Sequence, residues 1–326
     1  MKTRTVVAGL LAVILFLFGC SSVPKNSKAI LEEQPERMFW KIHSPNGTTI
    51  YVLGTIHFGK VGEIPLQNTV LEYFDSADEI YAELSLEDIF NNLPVEMAKK
   101  IENSVLFDEE GKPIPITDSL TDAETDFLID YLTTTMDTSD EIVLYATLIM
   151  PPWILLNTLS SDTINTQKYS AEGGIDFILY QRAMDSQRQV QGLDTLETQL
   201  DILSFGTREE QMLLLKSTIQ SLMAEDSDDS KLIETLINAY YNDDRKAVGS
   251  ISKILDMGEG IAGLRTDFFD DYADMIYKNR NKNWANTIKE MLNAPNKTYF
   301  IFAGVAHWLG SDNVFEILKD QGVLTY

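Results

Sequence analysis

Two periodicities partition this chain. Short runs rich in β-branched and aromatic residues read as buried strands, and longer stretches with an apolar residue every third or fourth position read as helices. The runs 38–42 and 49–53 flank Ser44-Pro45-Asn46-Gly47, whose Asn-Gly step predicts a β-hairpin. Leu66, Val70 and Phe74 then recur at helical spacing, and Glu79-Ile80-Tyr81-Ala82-Glu83 follows as a short buried strand. Strand, helix, strand in this order is the pattern of a parallel sheet.

The middle of the chain is predicted to be helical. Stretches 120–132, 141–159, 175–184, 212–223 and 232–241 all carry the helical spacing, and Pro151-Pro152 must kink or break the second of them. One short strand, Gln189-Val190-Gln191-Gly192-Leu193, interrupts the helices. The acidic run 225–230 reads as a solvated connection, because it lacks the spacing and glycine of a calcium loop. A helix over 268–276 precedes a further one that opens at Arg280-Asn281-Lys282-Asn283-Trp284 and ends near Pro295. Tyr299-Phe300-Ile301-Phe302-Ala303 is then a strand, and Ser311-Asp312 is placed to cap a last helix over 314–319. The expected fold is α/β: a mixed, largely parallel central sheet flanked by helices, with a large helical insertion over about 86–188 and 200–294.

The first residues carry a different signal. Lys2 and Arg4 precede an uncharged apolar stretch, 6–18, too short for a transmembrane helix and built like a secretory signal. Its ending, Leu17-Phe18-Gly19-Cys20, resembles a bacterial lipobox, although Phe18 is bulkier than the small residue usual there. The expectation is a signal peptide over 1–19 and a lipidated Cys20 that holds the mature chain to a membrane of the bacterial cell envelope, on its periplasmic or extracellular face. An ordinary signal peptide cleaved nearby is the other reading. Cys20 is the sole cysteine, which excludes an internal disulfide. Residues 20–36 lack apolar periodicity and read as a tether, with the folded domain spanning 37–326.

Composition narrows the partners. With 44% hydrophobic and 10% aromatic residues the domain can bury a sizeable core, and the formal net charge of -24 makes nucleic acid an unsuitable partner.

Chemistry enters where the strands end. Two of the three histidines stand in the same frame after a strand, Gly54-Thr55-Ile56-His57 and Gly304-Val305-Ala306-His307. Glu83 and Asp194 also fall at or just past strand ends, and the carboxyl edge of an open α/β sheet is where ligands bind. Two imidazoles and a carboxylate can hold a divalent metal, so His57, Glu83 and His307 are candidate ligands. Each has a structural alternative: either histidine can be a satisfied core residue, and Glu83 can cap or pair at the following turn. Arg280 lies in the polar run Lys278-Asn279-Arg280-Asn281-Lys282, which suits either a solvated helix start or an anion clamp. Asp194 can equally begin the helix that follows it.

These residues carry a resemblance. Val52-Leu53-Gly54-Thr55-Ile56-His57, Ala82-Glu83, Gly192-Leu193-Asp194-Thr195 with Gln199, Arg280-Asn281 with Trp284, and Gly304-Val305-Ala306-His307-Trp308-Leu309-Gly310 resemble, in order, the motifs of the TraB/GumN family. The family includes the TIKI proteins, and the resemblance implies a divalent-metal-dependent peptidase using Mn, Co or Zn on a peptide or protein substrate. It places His57, Glu83, Arg280 and His307 in the active-site cluster, with Asp194 where the family more often has Glu. Glu83 is left as either ligand or general base. Two other readings stand beside the metallohydrolase: a non-catalytic lipoprotein that sequesters a peptide, and a metal-free hydrolase with a histidine base and carboxylate partner.

Overall fold

The computed structural model describes residues 28–60, 63, 66–164, 169–224, 228–255 and 261–326. The expected signal peptide, Cys20 and the first part of the tether lie outside the described residues, as do positions 225–227 of the acidic run.

Nine strands form two sheets among the described residues: β1 (Ala29–Glu33), β2 (Phe39–His43), β3 (Thr49–Thr55), β4 (Gly59–Lys60), β5 (Glu79–Ala82), β6 (Tyr169–Ser170), β7 (Val190–Gly192), β8 (Thr298–Gly304) and β9 (Leu324–Thr325). The main sheet has the order β7-β5-β8-β3-β2-β1-β9, and β4 pairs separately with β6. β7, β5, β8 and β3 are mutually parallel. β2 runs antiparallel to β1 and β3, as the hairpin signal requires, and Gly47 takes a φ of +90° in its turn. The fold is the expected α/β class, a seven-stranded mixed sheet flanked by helices.

The parallel strands are short apolar runs because both faces of the sheet are covered. On one face Phe39 packs on Phe300 and Tyr51, while helices Asn68–Ser76 and Ile175–Asp185 bring Phe74 and Tyr180 against Phe300 and Phe302. On the other face helix Asn279–Met291 and helix Val314–Asp320 supply Trp284 and Phe315, which pack with Trp308 and Trp40. Phe300 and Phe302 are wholly buried, and each contributes about 1.5–3 kcal/mol through the surface it removes from water.

A second core is built by helices alone. Ile116, Leu128, Leu132, Leu148, Leu155, Leu159, Met212, Leu215 and Ile219 pack together apart from the sheet. Thr121 and Thr207 begin two of these helices with capping boxes, to Glu124 and Glu210. The Pro151-Pro152 step ends helix Glu141–Leu148 and turns the chain by 109° into helix Pro152–Ile164. No single helix among the described residues is long and apolar enough to cross a membrane.

Several boundaries differ from expectation. Residues 29–33 are not tether but the strand β1, held between β2 and β9; Ala29 and Leu31 are buried while Ile30 is 44% exposed, an alternation too short to read in isolation. The helical insertion is narrower than 86–188 and 200–294, because Ile175, Leu179, Tyr240, Trp284 and Ile288 join the core of the sheet. Residues 228–230 open helix Asp228–Tyr241 rather than a loop. Asn313, not Ser311-Asp312, caps the last helix by accepting from the Glu316 amide. The helices expected over 268–276 and from Arg280 run on as one rod, joined by a π turn at Asp274–Lys278.

Candidate functional site

Register places the site. β3 and β8 end side by side, with Thr55 opposite Gly304, and Ala82 of β5 lies opposite Gly192 of β7. His57, Glu83, Asp194 and His307 each follow one of these four ends, so they gather at the carboxyl edge of the parallel strands. The backbone ties the edge together: the Leu193 and Asp194 amides donate to the carbonyls of Ala82 and Glu83, at 2.7 and 2.9 Å.

Gly304 is the point of closest convergence. A methyl group built on it would lie 3.1 Å from Glu83 Oε1, 3.6 Å from His307 Cδ2 and 4.0 Å from His57 Nε2. Its amide donates to Glu83 Oε1 at 2.8 Å. The surrounding cavity, about 200 Å³, is lined by His57, Glu83, Arg280 and His307, with Tyr277 and Leu236 on its walls.

Each imidazole is fixed through Nδ1. His57 Nδ1 lies 2.9 Å from Asp176 Oδ2, and Thr55 donates to the other oxygen of that carboxylate at 2.6 Å. His307 Nδ1 lies 2.6 Å from Asn281 Oδ1. Asn281 donates through Nδ2 to the Asp312 carbonyl, so its oxygen faces the ring and the proton of His307 sits on Nδ1. The unprotonated Nε2 of His307 carries a lone pair. His307 is buried, stacked 4.1 Å from the Trp284 ring, whereas the His57 side chain is 63% exposed.

Arg280 organises the acids. Its Nε donates to Asp194 Oδ2 at 2.8 Å and its Nη2 to Glu83 Oε2, while Nη1 donates to the Ile276 carbonyl. The guanidinium is buried and lies over the Trp284 ring, so the reading of a solvated helix start is corrected. Trp284 stands four positions after Arg280, which places both on one helix face, a placement the polar neighbours conceal. Asp194 joins the cluster from behind: its oxygens accept from Arg280, from Trp284 Nε1 at 2.7 Å and from Gln199, and it does not line the cavity. Asp194 thus braces the Arg280 guanidinium from outside the cavity.

The charges follow from these contacts. Burial pushes the Glu83 carboxyl upward, but Arg280, both histidines and the Gly304 amide outweigh it and hold the group well below the ordinary carboxylate range. Asp176 raises His57 to about 9, a shift that solvent screening at the exposed ring moderates. Burial, helped by Arg280, lowers His307 to about 3, and burial raises Asp194.

Two residues that sequence reasoning missed complete the site. Asp176 reaches His57 because helix Ile175–Asp185 begins against the strand end, where the Ile175 amide donates to the Ile56 carbonyl. Gly174 permits that approach, since a Cβ there would stand 2.1 Å from the His57 carbonyl oxygen. The Gly173-Gly174 pair before an acid was the available signal. Asn281 was quoted only as a motif neighbour, yet it fixes the His307 tautomer.

Among the described residues, no group of three or more His, Cys, Asp or Glu side chains is disposed to hold a metal ion as it stands. His57, His307 and Glu83 surround one point, but Glu83 is drawn toward Arg280.

No solved structure gives a significant match. An uncharacterized protein of Treponema pallidum (strain Nichols) is 31% identical over 317 residues, covering 96% of this chain and 90% of that protein. The model of the TraB/PrgY/gumN family matches residues 38–325, from the strand before the hairpin turn to the last strand of the sheet, and the chain belongs to that family.

Proposed function

We propose that this protein is a lipid-anchored, divalent-metal-dependent hydrolase of the cell envelope, acting on peptide bonds, with His57, His307 and Glu83 as the residues that hold the ion. One observation carries the reading: two imidazoles from neighbouring strand ends, each fixed through Nδ1 by a side-chain oxygen, line a single cavity. Outer oxygens that orient ligand histidines in this way are the usual support of a metal site. The donor types suit a divalent ion such as Mn, Co or Zn once the Glu83 carboxylate turns from Arg280 toward the imidazoles, and a bound ion would supply polarisation of a carbonyl and activation of water.

The chain's own residues supply the rest. Asp176 and Asn281 hold the two rings in place. Arg280 keeps Glu83 ionised, which suits a ligand's charge better than a base poised near neutrality. The same guanidinium offers positive charge where an oxyanion would develop at the cavity wall. Leu236 and Ile276 give the cavity an apolar side against which a substrate chain can lie. Anchoring through Cys20 rests on the signal-like first residues.

A second reading draws on the Asp176–His57 pair, which has the form of a carboxylate-supported imidazole acting without metal. Purified full-length protein separates the two. Metal-site chemistry requires a stoichiometric divalent ion, hydrolysis of a peptide library that stops on chelation and returns with added ion, and loss of turnover in both His57→Ala and His307→Ala. Turnover that persists in chelator, with no ion bound, overturns the metal assignment and leaves the dyad. An absence of any cleaved product across metals and peptides removes the enzyme reading.

A further inference from the structure

The cavity at the strand ends is lined by more than its polar groups. Ile56 and Val305 follow β3 and β8, Leu236 comes from helix Asp228–Tyr241, and Ile276 and Tyr277 come from the π turn Asp274–Lys278. Ile56, Leu236, Ile276 and Tyr277 are each only half-buried. Apolar side chains from separate elements thus converge beside the histidines and stay in contact with water, which favours an apolar occupant.

Hydrogen bonds hold these walls against the polar groups. Tyr240 donates to the Gly54 carbonyl at 2.6 Å and fixes its helix to the end of β3; Leu236 precedes it by four positions and shares that face. Arg280 Nη1 donates to the Ile276 carbonyl at 3.0 Å, which ties the π turn to the guanidinium that pairs with Glu83. The Tyr277 ring stands 5.3 Å from the His307 ring.

Size and charge limit what fits. The cavity holds about 200 Å³, and an apolar cavity of about 150 Å³ is enough for benzene. One aromatic or branched aliphatic side chain therefore fills most of it. The charged groups that line it already have partners: Glu83 and Arg280 face each other, Arg280 also holds Asp194, and His57 faces Asp176. A charged substrate side chain would lie unpaired against apolar walls, which is costly.

We propose that this cavity takes one large apolar side chain next to the bond to be cleaved, with Leu236 and Tyr277 setting the preference. This side-chain site rests on the hydrolytic role proposed for the same cavity. It makes the substrates peptides cut beside Phe, Leu or Ile rather than beside Gly, Glu or Lys.

Two experiments test it. In the first, full-length protein supplied with Mn, Co or Zn digests a peptide library, and mass spectrometry reads the cleavage positions. Phe, Leu and Ile are expected to exceed Gly, Glu and Lys at one position beside the bond by about tenfold or more in kcat/KM. Leu236→Ala and Tyr277→Ala should each lower that ratio by about fivefold or more. Leu236→Ala, on a separate helix, gives the answer if Tyr277→Ala unfolds. In the second, N-acetylphenylalanine amide and N-acetylglycine amide are titrated into full-length protein in chelator while NMR follows the His307 ring signals. A saturable shift with the phenylalanine compound and not with the glycine compound, weakened in Leu236→Ala, is expected.

The two arms separate the failures. Such binding without any cleaved peptide supports the side-chain site and removes the hydrolase reading. Cleavage with no preference beside the bond, with a preference for charged residues, or with a preference unchanged in every folded variant overturns the side-chain site and leaves the hydrolase standing. Neither cleavage nor a shift overturns both.

Discussion

His307 Nδ1 and Asn281 Oδ1 stand 2.6 Å apart, joining a strand end to the middle of a helix through one hydrogen bond. The Asn281 amide is oriented from its other side by the Asp312 carbonyl, so the bond selects the histidine tautomer. Asn281→Leu leaves a buried N–H without an acceptor and is expected to cost about 1–3 kcal/mol in chemical denaturation. Asn281→Asp places a carboxylate against the ring and should move the His307 titration, followed by NMR in chelator, upward from about 3. An unmoved titration in the aspartate variant would show that the ring does not depend on this contact.

Asp176 governs the other ring. In metal-free protein His57 titrates at about 9 when folded against 6.5 for a free imidazole, so the stability it contributes is complete below pH 6.5 and is lost as the pH rises through 9. Asp176→Asn removes the cause. The His57 titration should fall toward 6.5, and the decline of stability between those two pH values should flatten. NMR and denaturant midpoints, both in chelator, read the two effects separately.

Arg280 is expected to be the most costly single residue of the cluster to replace. Arg280→Met leaves Glu83 and Asp194 as uncompensated carboxylates in a largely buried setting, and breaking a buried pair in this way costs about 3–5 kcal/mol. Glu83→Gln isolates one arm. Because the folded Glu83 carboxyl is depressed, its contribution is present above the unfolded value of 4.5 and is lost as pH falls through the lower folded value. Acid unfolding of the Gln variant should therefore begin from lower stability and show a shallower limb. Equal acid limbs in the two proteins would contradict the assignment.

Gly304→Ala tests the cavity without touching a polar group. Its backbone, with φ of -45°, accepts alanine, yet the new methyl would crowd Glu83 Oε1 at 3.1 Å and approach both imidazoles. The folded protein should survive with nearly native far-UV circular dichroism. Peptide hydrolysis should fall by about ten- to a hundredfold, the scale of a small misplacement in an active site.

The strands and their ends were legible because parallel strands buried on both faces must be short, apolar and β-branched or aromatic, as in Tyr299-Phe300-Ile301-Phe302-Ala303. Legible ends gave His57, Glu83 and His307 in turn. Asp176 was hidden because its partner lies 119 residues away, and the glycine pair before it marks a close approach without saying to what. Burial of Arg280 was hidden for a different reason: its neighbours Lys278 and Lys282 are surface residues, and only the helix phase turns Arg280 and Trp284 inward. β1 escaped because two buried residues in five are too few to declare a strand without its partners.

The π turn at Asp274–Lys278 sets that phase. Such a turn holds one residue more than an α-helical turn, and one residue rotates everything after it by roughly 100°. Removing a single residue from this stretch would swing Arg280 away from Glu83 and Asp194 while leaving every side chain of the cluster chemically intact. The site is thus encoded partly as a count: two chains with identical motif residues but a different number of residues between Phe268 and Arg280 would differ in whether their acids are neutralised at all.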